Sequence, residues 1–356
     1  MKSLMTTSRS NGSTLSTSTN VPTASRWQAL ADRVLDGGTL SADEAVAVLA
    51  SPDEDLLDLL HAAYRVRQRH FGRKVQLYML MNAKSGLCPE DCSYCSQSKV
   101  SEAEIPRYNL LNRKELLAGA EAACERGATT YCIVISARGP NEREMAAVEQ
   151  IVPEIKKRFP LKVCACLGLL TQEQADRLKA CGVDRVNHNL NTGAEFYGEI
   201  CSTHTYQDRV GTLEAVRNAG LELCSGGIVG MGERPRDVVD LALALRGLGV
   251  HSIPVNFLNP IEGTPLAGQN ELTPTYCLKV LAMFRLVNPA REIRIAGGRE
   301  LHLGSLQALG LYAANSIFVG DYLTTKGQLP EADYAMIRDL GFEVVEQGEA
   351  AAVAAS

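Results

Sequence analysis

The sequence predicts an α/β fold: a (β/α)8 TIM-type barrel carrying an N-terminal helical extension. Three observations predict it. Short β-rich runs alternate with helical stretches about eight times along the second to last parts of the chain. The 356 residues suit one barrel of about 250 residues with extensions. Apolar residues make up 46% of the chain and aromatic residues only 5%, which implies an aliphatic, alanine-rich core.

The elements follow in order. Residues 1–25 are rich in Ser, Thr and Asn without an apolar period, so a disordered N-terminal extension is expected there. Over residues 26–70 the apolar positions recur at helical spacing (Leu30, Val34; Ala45, Val48, Leu49; Leu56, Leu57, Leu60), with Ser41 as a cap, which predicts N-terminal helices. The barrel is expected over residues 71–345. Its strands are read at 76–82, 130–135, 162–167, 185–190, 221–229, 252–258, 292–296 and 316–319. Helical period lies between them, as at 114–124, 173–180, 237–248 and 278–287. Residues 346–356 become Ala-rich and lose pattern, so a flexible tail is expected. A doubly wound sheet uses the same buried parallel strands and helices; the number of repeats favours the barrel.

Composition narrows the function. With a net charge of −5 and no Lys/Arg run, the chain has no basic stripe for phosphates, so a small molecule is a better partner than nucleic acid. No apolar stretch reaches the roughly 20 residues of a membrane span, and none near Met1 resembles a secretory signal; a cytoplasmic protein with no membrane partner is expected. Eleven cysteines, an odd number spread through strands and helices, point to metal or redox chemistry and not to a disulfide scaffold.

Two constellations carry that chemistry. In the first, Cys88, Cys92 and Cys95 lie in the run from Gly86 to Ser98 directly after the first strand, on the barrel face where active sites sit. Three thiolates at this spacing can hold one iron–sulfur cubane and leave one iron open to another ligand. The alternatives are a zinc loop borrowing Cys124 or His70, or ordinary buried cysteines.

In the second, Cys132, Cys164 and Cys224 each fall in a predicted strand, and Arg294 puts a permanent cation into an apolar one. If these side chains enter one lumen, they can converge on a second metal centre; otherwise they are small buried hydrophobes above an ion pair at the barrel floor. Cys166 shares the face of Cys164, because residues two apart on a strand point the same way. Asn187, His188, Asn189 and Asn191 cluster at a strand end, where amides serve ribose hydroxyls, a ureido ring, or simply a satisfied turn. The glycines of 227–232 are not in the dinucleotide-binding order, and they read as a close backbone approach to a cofactor.

The pattern Cys-x-x-x-Cys-x-aromatic-Cys, with Tyr94 as the aromatic, resembles the radical S-adenosylmethionine (SAM) superfamily. That resemblance implies a [4Fe–4S] cluster on the three cysteines, with SAM chelating the open iron and yielding a 5′-deoxyadenosyl radical on reduction. From about Leu56 to Gly341 the chain resembles the biotin synthase family, through Cys-Pro-Glu-Asp-Cys at 88–92, Asn-His-Asn-Leu at 187–190, Cys-Ser-Gly-Gly-Ile-Val-Gly at 224–230 and Ala-Asn-Ser-Ile-Phe at 314–318. This implies a [2Fe–2S] cluster at Cys132, Cys164, Cys224 and Arg294 that donates sulfur, inserted between C6 and C9 of dethiobiotin. The resemblance further implies SAM contacts from Asn189, Asn191 and Arg209 and dethiobiotin contacts from Asn187 and Asn256. It also implies a homodimer and a small electron-transfer protein such as flavodoxin or ferredoxin as reductant. Two positions depart from the pattern: Asn191, where some relatives have Asp, and Thr130, where some have Arg. The competing readings are another radical SAM barrel enzyme, a mutase or maturase, and a non-catalytic iron–sulfur or zinc protein.

Overall fold

The structure, a computed structural model, describes residues 25–348. The expected disordered extension at 1–25 lies outside the described residues except for Ser25, and the expected tail lies outside them from residue 349 onward.

Three helices come first: α1 (Arg26–Leu35), α2 (Ala42–Leu49) and α3 (Leu56–Phe71). Ser41 caps α2 as expected: its hydroxyl accepts from the Glu44 amide at 3.2 Å, and the Glu44 carboxylate accepts from the Ser41 amide at 2.8 Å. Of the expected apolar stripe Val34, Ala45, Val48, Leu49, Leu56 and Leu60 are buried, Leu30 is half-buried and Leu57 is exposed; Trp27 is 1% exposed, with its indole N–H donating to Asp55 at 3.0 Å.

A parallel barrel follows, built from β1 (Lys74–Lys84), β2 (Thr130–Ile135), β3 (Lys162–Cys166), β4 (Arg185–Asn187), β5 (Glu222–Cys224), β6 (Gly227–Val229), β7 (Ser252–Phe257), β8 (Glu292–Ile295) and β9 (Ser316–Phe318). β1 pairs with both β2 and β9, so the sheet closes on itself, and no edge is left in the ring. β5 and β6 both pair with β7 and form two halves of one staved position, giving eight positions in all. A two-residue strand, β10 (Glu343–Val344), extends the start of β1 from outside the ring.

The helices between the strands are α4 (Arg113–Glu125), α5 (Glu142–Arg158), α6 (Gln172–Ala180), the one-turn α7 (Tyr197–Ile200), α8 (Tyr206–Asn218), α9 (Pro235–Gly247), α10 (Pro274–Val287), α11 (Arg299–Leu303) and α12 (Gln307–Gly310), with α13 (Pro330–Asp339) after β9. Alternation along the strands separates two interiors. Leu77, Tyr131, Ile133, Val163, Ala165, Ile253, Ile293 and Ile317 pack outward in the main aliphatic core, while Tyr78, Cys132, Cys164 and Phe318 form a separate cluster inside the barrel.

Two strand expectations need correction. The fourth strand ends at Asn187 and not near 190; beyond it Asn191 takes φ 72°, a left-handed conformation that asparagine tolerates and a strand does not. The strand expected over 221–229 is broken at Ser225–Gly226. A Cβ on Gly226 would lie 1.8 Å from the carbonyl oxygen of Pro254, and one on Gly227 would lie 2.5 Å from that of Asn191. The glycines at this break admit neighbouring backbone, so of the run 227–232 read as an approach to a cofactor, Gly227 instead makes room for the Asn191 backbone.

Candidate active site

The motif loop leaves β1 and is pinned to the segment after α7 by its own two carboxylates. Asp91 accepts from the amides of Ser202 (3.0 Å) and Thr203 (3.2 Å), from the Thr203 hydroxyl (3.0 Å) and from the Ser202 hydroxyl. Glu90 accepts from the Thr203 hydroxyl at 2.6 Å, from Arg138 at 3.2 Å and from the His204 ring. Burial works against both carboxylates, but these donors outweigh it and hold both below the usual carboxylate range. Short turns, with the Cys95 amide on the Cys92 carbonyl and the Ser98 amide on that of Cys95, fold the three cysteines inward. Cys88, Cys92 and Cys95 all line one cavity of about 490 Å³ at the C-terminal end of the barrel. Burial pushes the Cys95 thiol up to about 11 and Cys88 in the same direction; the neighbouring Cys201 thiol, 3.8 Å away, and burial push Cys92 up.

The same cavity receives polar residues from the motif loop, from β4 and the loop after it, from α8 and from β7. Tyr94, Asn187, Asn189, Asn191, Arg209 and Asn256 all line it. Asn191 donates to the Tyr94 hydroxyl at 2.5 Å. Asn189 accepts from Asn187 at 3.2 Å and from the Gly226 amide at 3.1 Å, so its amide orientation is fixed. Asn256 donates to the Gly227 carbonyl (3.0 Å) and accepts from the Gly297 amide and the Tyr322 hydroxyl, both at 2.9 Å. Arg209 is 9% exposed and spans the Asn189 carbonyl (2.8 Å), His204 Nε2 (2.8 Å) and the Tyr197 hydroxyl. Since Arg209 donates to Nε2, His204 carries its proton on Nδ1 and donates it to Glu90.

Below lies the second set. Cys132 and Cys164 are register partners on β2 and β3, and the Cys164 thiol contacts those of both Cys132 and Cys224. Asn187 donates to Cys224 Sγ at 3.2 Å. Arg294 is 1% exposed, with Nη2 on Glu292 and Ser252 at 2.6 Å each, Nε on Ser316 at 3.1 Å and Nη1 3.8 Å from Cys224 Sγ. Its guanidinium carbon sits 3.4 Å from the centre of the Tyr78 ring. Thus the three strand cysteines and Arg294 do enter one lumen, and the floor ion pair is there as well: Glu292 bridges Arg294 and Arg185 (3.0 Å). Burial opposes the Glu292 carboxylate, and the two guanidinium groups overcome it and hold its pKa down at about 2.

The donor set fits iron–sulfur groups at both levels. Each level presents clustered thiols on rigid supports, which soft iron–sulfur clusters require. Among the described residues, Thr130 Oγ1 and His188 Nε2 are buried without a protein partner, Thr130 on the same strand face as Cys132 and His188 at the cavity wall. The zinc-loop partners Cys124 and His70 are not at the motif: Cys124 bonds Gln347, and His70 ends α3. Sequence reasoning missed Cys201, Thr203 and His204: Thr203 and His204 clamp the loop through Glu90 and Asp91, and Cys201 touches Cys92. The signal was the Glu-Asp pair inside the motif, two carboxylates that demanded donors from elsewhere.

The radical SAM superfamily matches residues 84–245, and the "Biotin and Thiamin Synthesis associated domain" matches residues 254–343. A biotin synthase of Rhodopirellula baltica is 65% identical over 318 residues, covering 89% of both chains. The chain belongs to the biotin synthase family. Other members of the family include those of Geobacillus kaustophilus, 60% identical over 89% of this chain and 96% of its own, and Bacillus subtilis, 57% identical over 90% and 95%. Methylornithine synthase shares the fold with a TM-score of 0.80 at 20% identity, covering 91% of this chain and 99% of its own. An FeFe-hydrogenase maturase from Carboxydothermus hydrogenoformans does so at 0.76 and 20%, covering 90% and 79%. Family membership makes the chain an enzyme that uses SAM and a [4Fe–4S] cluster, and among the described residues no helix is long and apolar enough to cross a membrane.

Proposed function

We propose that this enzyme converts dethiobiotin to biotin by inserting sulfur between C6 and C9, using both cysteine levels of one barrel. The observation that carries the reading is their stacking: the loop triad lines the cavity at the mouth, and Cys132, Cys164 and Arg294 line an adjoining recess beneath it, with Asn187, Asn189, Phe318 and Tyr322 common to both and Cys224 bonded to Asn187. When bound, the [4Fe–4S] cluster with SAM supplies the radical that abstracts hydrogen, and the [2Fe–2S] cluster supplies the sulfur.

The chain's own residues bind, orient and shield. Cys88, Cys92 and Cys95 hold the first cluster, and the Glu90 and Asp91 clamp keeps that loop closed over the cavity. Tyr94, Asn189, Asn191 and Arg209 form the SAM contacts, with Arg209 offering a planar cation suited to a carboxylate or a ribose edge. Asn187 and Asn256 present amides to the ureido ring of dethiobiotin between the two levels. The aliphatic and aromatic wall, including Val134, Phe318 and Tyr322, keeps water from the reacting carbon atoms. A homodimer served by flavodoxin or ferredoxin, working in the cytoplasm, belongs to the same proposal. Anaerobic reconstitution followed by SAM, reductant and dethiobiotin tests it. Biotin together with 5′-deoxyadenosine is expected, and deoxyadenosine without biotin would assign a different radical reaction.

A further inference from the structure

We infer that Cys92 and Cys201 are a peroxide-reactive thiol pair, which closes into a reversible disulfide when the first centre loses its cluster and so keeps Cys92 fit to be loaded again. The inference rests on the proposed loading of that centre by Cys88, Cys92 and Cys95.

The fold ties the two thiols together from both sides. Ser93, one residue after Cys92, donates its amide to the Ile200 carbonyl at 2.9 Å and its hydroxyl to the same oxygen at 3.2 Å. Asp91, one residue before Cys92, accepts from the Ser202 amide at 3.0 Å. The two segments are therefore crossed by hydrogen bonds on either side of Cys92 and Cys201, and the two sulfurs lie 3.8 Å apart. A disulfide needs about 2 Å between sulfurs, a closure within reach of side-chain rotation once the backbones are tied. Cys201 donates to Asp91 Oδ1 at 3.3 Å and has His204 Nδ1 at the same distance, so its side chain is held in place.

The other cysteines of the motif are occupied differently. The Cys88 thiol lies against the Glu90 amide, and the Cys95 thiol against the amides of Gln97 and Ser98. Access is also unequal within the pair. Among the described residues that line the cavity, Cys92 is present and Cys201 is not. Cys201 sits on the packed side, with Tyr197, Ile200, Met231 and Leu258. A small oxidant entering the cavity meets Cys92 first, and Cys201 answers from behind it.

The oxidant is hydrogen peroxide. Iron engages the Cys92 sulfur until oxidative loss of the cluster frees it. That sulfur then attacks one peroxide oxygen; the O–O bond breaks, and a sulfenic acid and one water result. The Cys201 sulfur attacks the sulfenic sulfur, an S–S bond replaces the S–O bond, and a second water leaves. Two thiols and one peroxide become one disulfide and two waters, with two electrons passing from sulfur to oxygen. Without Cys201, more peroxide carries Cys92 on to a sulfinic acid, which thiols do not reverse. A dithiol reductant reopens the disulfide and returns both thiols.

The test uses the full chain, stripped of iron by anaerobic chelation and exposed to a limited amount of hydrogen peroxide. Remaining thiols are alkylated, and the digested peptides are weighed. A Cys92–Cys201 linked pair is expected in the parent, and a sulfinic acid at Cys92 in C201S. After dithiothreitol and reconstitution the parent is expected to regain the iron per chain of an untreated sample, and C201S to lack most of the iron of the first centre. The inference is overturned if Cys92 of the parent is found as a sulfinic acid, or linked to Cys88 or Cys95, or if both chains recover equally. Should C201S load less iron than the parent before any peroxide, C201A supplies the comparison, and the parent's peptide map decides on its own. Undiminished iron in untreated C88A, C92A and C95A would refute the first centre itself, an outcome distinct from a missing bridge in a parent that loads normally.

Discussion

Arg209 shows how one side chain ties the mouth of the site together, since it reaches a strand-end carbonyl, the His204 of the loop clamp and a tyrosine hydroxyl at once. A lysine has a single ammonium and cannot span all three. R209K is therefore expected to weaken SAM binding about tenfold, the loss of one charge-assisted bond; calorimetric titration of SAM onto the reconstituted enzyme measures it. Unchanged affinity would remove Arg209 from the SAM site. At this scale the cysteine triad was legible in the sequence because its spacing is local. Cys201 and His204 were not legible: their pairing with Cys92 and Glu90 joins positions more than a hundred residues apart, and only the fold brings them together. Arg294 was legible as a cation needing a partner, whereas the identity of that partner, Glu292 two residues earlier on the same strand face, gave no separate signal.

The strands and helices were readable wherever one period ran uninterrupted. β2 was expected over the residues it occupies, and α6 and α9 within two residues, because buried parallel strands and amphipathic helices differ in period. The misreadings fall at β4 and at the β5–β6 break, where backbone approaches backbone and Asn191 turns left-handed, a requirement no apolar pattern records. Helix α9 offers a test at this scale. Asp237 in its first turn accepts from the Arg234 amide and guanidinium, each at 2.9 Å, and is buried. Its bonds to Arg234 lower its pKa. A carboxylate held low contributes stability that is complete above its unfolded value of about 4 and is lost as pH falls through the folded value. D237A is expected to cost about 1 kcal/mol at neutral pH, with the gap to the parent narrowing below about pH 4; urea unfolding at a series of pH values measures both. A gap independent of pH would contradict the assignment.

Closure of the barrel is what turns two distant sets of cysteines into one site, because β1 must meet β9 before the lumen exists. The floor that supports the lumen is charged, and Glu292 holds it between Arg185 and Arg294. Removing one member of a buried ionic network leaves its partners uncompensated, so E292Q is expected to lower the stability of the apoprotein by about 3 kcal/mol. Denaturant unfolding compared with the parent checks this, and an unchanged midpoint would mean that the network is not integral to the barrel. The number of strand and helix repeats made the barrel legible as a whole, and Arg294 marked an ion pair at its floor; that Glu292 and Arg185 complete it was not legible, since that depends on which residues share a layer. The central claim is that the cluster held by the lower thiols supplies the inserted sulfur to a substrate activated from above. It is tested most directly by reconstituting the enzyme with heavy-isotope sulfide, allowing one turnover with unlabelled SAM and dethiobiotin, and weighing the biotin formed. The account predicts heavy sulfur in the product; biotin carrying only natural-abundance sulfur would contradict it.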